Sequence, residues 1–109
     1  VRQSMFKLPE IFAIRRQTEN AFEKAVQTKY ESLMQRFAAE VTKAANIGYC
    51  GWSEKFTKCD AALLSALNRC KKEIRKQGYH CHIEYVYNPR TAKTDAVDFT
   101  ISWRTHWFE

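Results

Sequence analysis

Three glycines and two prolines are spread over 109 residues, too few for a linker-like or low-complexity chain. Long apolar runs are missing as well. None approaches the roughly 18 to 20 residues that cross a bilayer, and the first residues lack the basic-then-apolar layout of a secretion signal, so the expectation is a soluble, intracellular protein with no membrane partner. No Gly-rich loop is present to cradle a phosphate, and the carboxylates are scattered without an evident acid–base pair. Nothing in the chain carries a catalytic signature. The expectation is therefore a protein that is not an enzyme and has no cofactor and no metal.

What is present is enough for a core. Hydrophobic residues make up 45% and aromatic residues 14% of the chain, and its length fits one compact domain over residues 1–109. The four cysteines, Cys50, Cys59, Cys70 and Cys81, fit neither a paired C-x-x-C zinc site nor a dense disulfide framework. They read as reduced, buried thiols, each on or beside an apolar face.

The chain carries 18 Lys and Arg against 12 Asp and Glu, for a net charge of +6, and the excess is uneven. Residues 1–48 hold eight basic and five acidic side chains, residues 49–78 seven and three, and residues 79–109 three and four. Most of the central excess is Arg69, Lys71, Lys72, Arg75 and Lys76. There a predicted helix ends and its dipole favours cations, which explains the run without a ligand. The competing explanation is a phosphate-binding patch for nucleic acid, with Tyr, His and Trp as stacking surfaces.

Leu8-Pro9-Glu10 reads as a helix start. From there Ile11, Ile14, Phe22, Val26, Tyr30, Leu33, Phe37, Val41 and Ala44 recur at spacings near three and four, until Asn46-Ile47-Gly48. Such a helix is longer than a small sheet can cover, and something else must bury its first half. Either it breaks around residues 17–20 and folds back, or it projects and packs against a second copy of the chain, a homodimer with Phe22 in its interface.

After Gly48 the period becomes two: Cys50, Trp52 and Phe56 alternate with Gly51, Ser53 and Lys55, a half-buried strand. Thr57-Lys58-Cys59-Asp60 has the layout of a capping box, with Thr57 as the cap. A second helix follows, with Ala62 or Leu63, Leu67, Cys70 and Ile74 on its apolar face and Gly78 as its stop. In the next strand Cys81, Ile83, Tyr85 and Tyr87 fall on the core side, and His80, His82 and Glu84 on the other. A connection of about eight residues, Asn88 to Asp95, leads to a hairpin partner in which Val97, Phe99, Ile101 and Trp103 alternate with polar residues. The expected fold is α+β: a long N-terminal helix, then strand, helix, strand, strand, with a three-stranded, mainly antiparallel sheet covered on one face.

His80 and His82 share a strand face at a spacing that can chelate a metal, with His106 or a cysteine as further ligands. Strand alternation accounts for both as outward polar residues opposite the core face. A Cys81–imidazole nucleophile is disfavoured because the neighbouring histidines point to the opposite side of the sheet. The terminal stretch Arg104, Trp107 and Phe108 adds aromatic surface at a chain end. Trp, Tyr, Phe and Arg dominate binding hot spots, so Phe22, Arg104, Trp107 and Phe108 are the candidate partner-binding residues.

The segment from Val41 to Trp103 combines a helix ending in Ala-Ala-x-x-Gly (Ala44 to Gly48), a strand, and a helix with Leu63, Leu64 and Leu67. Lys-x-Gly-Tyr (Lys76 to Tyr79), a strand, a loop and Ile101-Ser102-Trp103 follow. This order resembles small accessory proteins of tailed bacteriophages. The resemblance implies a phage product acting in the host bacterial cytoplasm or packaged in the virion, binding a host or viral protein. It brings no catalytic residues with it. The alternative is a small basic nucleic-acid-binding protein that uses Arg69 to Lys76.

Overall fold

A computed structural model describes residues 7–104, in the order α1 (Ile11–Asn46), β1 (Gly51–Phe56), α2 (Ala61–Lys76), β2 (His80–Asn88) and β3 (Lys93–Ser102). The three strands form one antiparallel sheet in the order β1-β3-β2, so the last strand is central. This is the expected α+β architecture.

No Gly or Pro lies between Glu10 and Ile47, and α1 runs unbroken through residues 17–20. Thr18, whose hydroxyl could compete for the backbone, donates instead to the Ile14 carbonyl at 2.9 Å, within the helix. The fold-back route is thereby closed. The helix opens two residues after Pro9, with Glu10 as its cap and no side-chain cap bond.

Both helices end on a glycine in the left-handed region, Gly48 at φ 89° and Gly78 at φ 97°. In each case the glycine amide and the next amide turn back onto the last carbonyls: Gly48 to Ala45 and Tyr49 to Ala44, Gly78 to Arg75 and Tyr79 to Ile74. A side chain at either position would strain this reversal. The start of α2 differs from the sequence expectation. Asp60, not Thr57, is the cap, its carboxylate accepting from the Leu63 amide at 2.8 Å. The competing register failed because Lys58 takes φ 52° and the Cys59 amide is bound to the Asp95 carbonyl at 2.7 Å, which holds the chain outside the helix until Asp60.

Paired residues place Trp52, Glu54 and Phe56 of β1, Val97, Phe99 and Ile101 of β3, and Cys81, Ile83 and Tyr85 of β2 on one face. The second half of α1 and all of α2 cover that face, and the opposite face is left to polar side chains such as Ser53, Lys55, His82, Glu84 and Thr100. Val26, Leu33, Phe37 and Ala44 of α1 and Ala66, Leu67, Cys70 and Ile74 of α2 are buried on it. Phe37 is the hub, stacked on Phe99 at 4.8 Å and tilted against Trp52 at 5.4 Å. Arg36 ties the same turn to β1, paired with Glu54 and lying over the Phe56 ring at 5.6 Å.

Two expectations about β2 and β3, and one about the cysteines, need correction. The connection is four residues rather than eight, because β3 begins at Lys93 and Asn88 closes the turn by accepting from the Arg90 amide at 3.0 Å. Tyr85 and Tyr87 are 53% and 59% exposed instead of buried, because the hairpin runs beyond the N-terminal end of α2 and an irregularity between Val86 and Asn88 breaks the pleat. Only Cys70 and Cys81 are buried thiols; Cys50 and Cys59 are half-buried at the two ends of β1.

Candidate functional site

The first half of α1 is a projecting arm. Every residue from 11 to 24 is exposed, and the first buried side chain of the helix is Val26. At 1.5 Å per residue the 36-residue helix is about 54 Å long, and the molecule extends to 78 Å in its longest dimension. Contacts of Arg69 with Glu23 and Gln27, and of Cys70 with Tyr30, show α1 and α2 running the same way. The arm therefore leaves the domain at the end where the β2–β3 turn lies.

Along the arm Ile11 is 57%, Phe12 71%, Ile14 41% and Phe22 41% exposed, with Leu8 just before it. Phe22 thus lies outside the core. Leu8 and Phe12 were not among the sequence candidates, yet Phe12 is the most exposed aromatic ring of the helix. Its signal was available: at 100° per residue Phe12 lies within about 40° of the direction of Val26 and Phe37.

Arg104 is exposed beyond β3, next to Trp103, whose amide donates to the Cys50 carbonyl at 2.9 Å and whose ring meets the edge of Tyr79 at 6.3 Å. Trp107 and Phe108 lie outside the described residues. Arg104 and Phe22 fall at opposite ends of the domain, so these candidates do not form one surface.

The basic run lies along the solvent side of α2, where two of its members are engaged by other elements. Arg69 faces α1, donating to Glu23 at 2.8 Å and Gln27 at 2.9 Å. Arg75 turns toward the sheet edge, its Nε donating to the Cys81 carbonyl at 2.9 Å. Lys72 and Lys76 are exposed and Lys71 is half-buried. At 100° per residue Lys71, Arg75, Lys72, Lys76 and Arg69 follow one another over an arc of about 160° on the side of α2 away from the core. Two of the five charges, Arg69 and Arg75, serve contacts within the fold.

His80 and His82 are exposed on the outer sheet face, where they border a shallow polar trough with Arg75, Tyr79, Thr100 and Ser102. No three His, Cys, Asp or Glu side chains converge among the described residues. Cys81 points the other way, into the core, and burial pushes its thiol up to about 11. Burial raises Cys70 further, to about 12, and also raises Cys59. These thiols stay protonated, the form that is neither nucleophile nor metal ligand.

No protein-family model matches the chain, and the searches of curated proteins and of solved structures give no match either. No helix of the described residues is long and apolar enough to cross a membrane.

Proposed function

We propose that this chain is a non-enzymatic protein-binding module that uses the projecting half of α1 as a docking helix. The observation that supports it is the set of exposed apolar side chains, Ile11, Phe12, Ile14 and Phe22, on the stretch of α1 that precedes its first ion pair with the fold, Glu23 with Arg69. A helix end of this kind gains little by itself, because isolated helices of this length are marginal in water and derive their stability from packing of an apolar face. Laying such a face into another protein is a recurring mode of recognition, read as anchors at i, i+3, i+4 and i+7. In the setting that the phage resemblance implies, the module is an accessory factor that modulates a host or viral protein in the bacterial cytoplasm.

Nucleic-acid binding is the second reading, favoured by the trough where Arg75 adjoins His80 and His82. The internal contacts of Arg69 and Arg75 weigh against it. Affinity capture from infected bacterial cells, with and without nuclease, separates the two. Under the docking reading the captured protein survives nuclease and is lost from a Phe12→Ala/Phe22→Ala variant. Capture that disappears with nuclease, or that is indifferent to both substitutions, overturns it.

A further inference from the structure

We infer that the arm of α1 is covered by the arm of a second copy of this chain, packed antiparallel. This rests on the reading of the arm as a docking helix and names its occupant. The face of the arm nearest the direction of Val26 and Phe37 carries Ile11, Phe12, Arg15, Glu19 and Phe22 within an arc of about 100°. Its order is apolar, basic, acidic, apolar, which is self-complementary under reversal. When two arms run in opposite directions with their centres near residue 17, Phe12 of one copy meets Phe22 of the other and Arg15 meets Glu19. Each contact occurs twice by the two-fold symmetry of such a pair.

The alternatives fit worse. Side by side in parallel, the same face sets Arg15 against Arg15 and Glu19 against Glu19, like charges at close range. Within one chain, neither Arg15 nor Glu19 makes an ion pair among the described residues, whereas Glu23, one turn closer to the domain, is held by Arg69 at 2.8 Å. Arg15 and Glu19 are thus available for a second arm to pair, and Glu23, the charge used inside the fold, lies outside that face. The unbroken helix matters too: with no fold-back at residues 17–20, the chain has no segment of its own among the described residues over this face.

The overlap is short. Residues 11–22 span about 18 Å, so the contact belongs with weak, transient interfaces and the dimer forms at micromolar concentration. Tethering by a folded domain at each end keeps both helices preformed, which lowers the ordering cost of binding.

Sedimentation equilibrium of the full chain from about 5 to 500 µM tests this directly, because self-association depends on concentration by mass action. The wild type should show a reversible monomer–dimer equilibrium. Arg15→Glu alone and Glu19→Arg alone should each weaken it by at least about tenfold, since each sets like charges at both contacts. An equimolar mixture of the two variants should associate as well as the wild type, and so should the chain carrying both changes. At concentrations where the chain is monomeric, circular dichroism should show the same melting for all, since the arm contributes nothing to the core.

A wild type that remains monomeric overturns the inference. So do single variants that dimerise like the wild type, the result expected of a parallel pair. Neither outcome touches the docking reading, which fails if the captured protein is lost with nuclease or is kept by the Phe12→Ala/Phe22→Ala variant. A monomer that loses that protein assigns the arm to a different partner.

Discussion

The ring of Phe37 lies flat on that of Phe99, centroids 4.8 Å apart and planes 11° from parallel, and joins the long helix to the central strand. Both rings are essentially removed from water, at 1% and 0% exposure. Phe22 occupies the same stripe of the same helix four turns earlier and is 41% exposed.

That contrast sets the first expectation. Phe37→Ala should cost about 3 to 5 kcal/mol in urea unfolding, the loss of a buried ring plus the cavity it leaves between α1, β1 and β3. Phe22→Ala should stay within about 0.5 kcal/mol at concentrations where the chain is monomeric. Equal costs at the two positions would mean that the arm is packed on its own domain.

The cap of α2 gives a second. Asp60→Ala removes the acceptor for the Leu63 amide and should cost about 1 kcal/mol, while Thr57→Ala should be nearly neutral. Thermal melts of the two variants, run side by side, distinguish the observed cap from the one that the capping-box spacing points to.

The thiols give a third. Cys70 and Cys81 are raised by burial to about 12 and about 11 in the folded chain, above the ordinary value of 9.0 that an unfolded thiol shows. Above pH 9 the unfolded chain therefore releases protons that the folded chain retains, and stability should fall as pH rises from about 9 toward 12. Below pH 9 this contribution is flat. Unfolding midpoints across that window, compared with a Cys70→Ala variant, should show a shallower decline for the variant, and labelling of these two thiols at pH 8 should be slow beside Cys50.

The basic run gives a fourth. With Arg69 and Arg75 engaged inside the fold, binding to a generic duplex should be weaker than about 10 µM near physiological salt. Sub-micromolar binding that collapses on a Lys71→Glu/Lys72→Glu change, with a log–log salt slope near 0.7 to 0.9 per phosphate, would favour the nucleic-acid reading.

Much of the architecture was legible in the pattern of residues. The change from period near 3.6 to period 2 after Gly48 marked the passage from α1 to β1, and two glycines marked both helix ends, because only they take positive φ there at no steric cost. Phe99 and Ile101 alternated with polar neighbours as a half-buried strand must. Local signals failed where the competing partner was distant in sequence. Thr57 lost the cap to Asp60 because the Cys59 amide is claimed by Asp95, 36 positions away.

The candidate site was half legible. Periodicity identified Phe22 as part of an apolar stripe and length made it surplus, but periodicity treats Phe22 and Phe37 alike. The basic run likewise reads as one cluster along the chain, and only the placement of Glu23 and the Cys81 carbonyl divides it.

The sequence alone determines the order and kind of the elements, since propensity, period and glycine stops act over a few residues. Which part of α1 is core and which is arm, whether Tyr85 and Tyr87 are covered, and what each charge of the basic run faces are decided by the tertiary structure. A sheet three strands wide and the 16 residues of α2 cover only so much of a 36-residue helix and a nine-residue strand. Burial is a property of what lies opposite a side chain, and that is fixed by the packing of elements far apart in the chain.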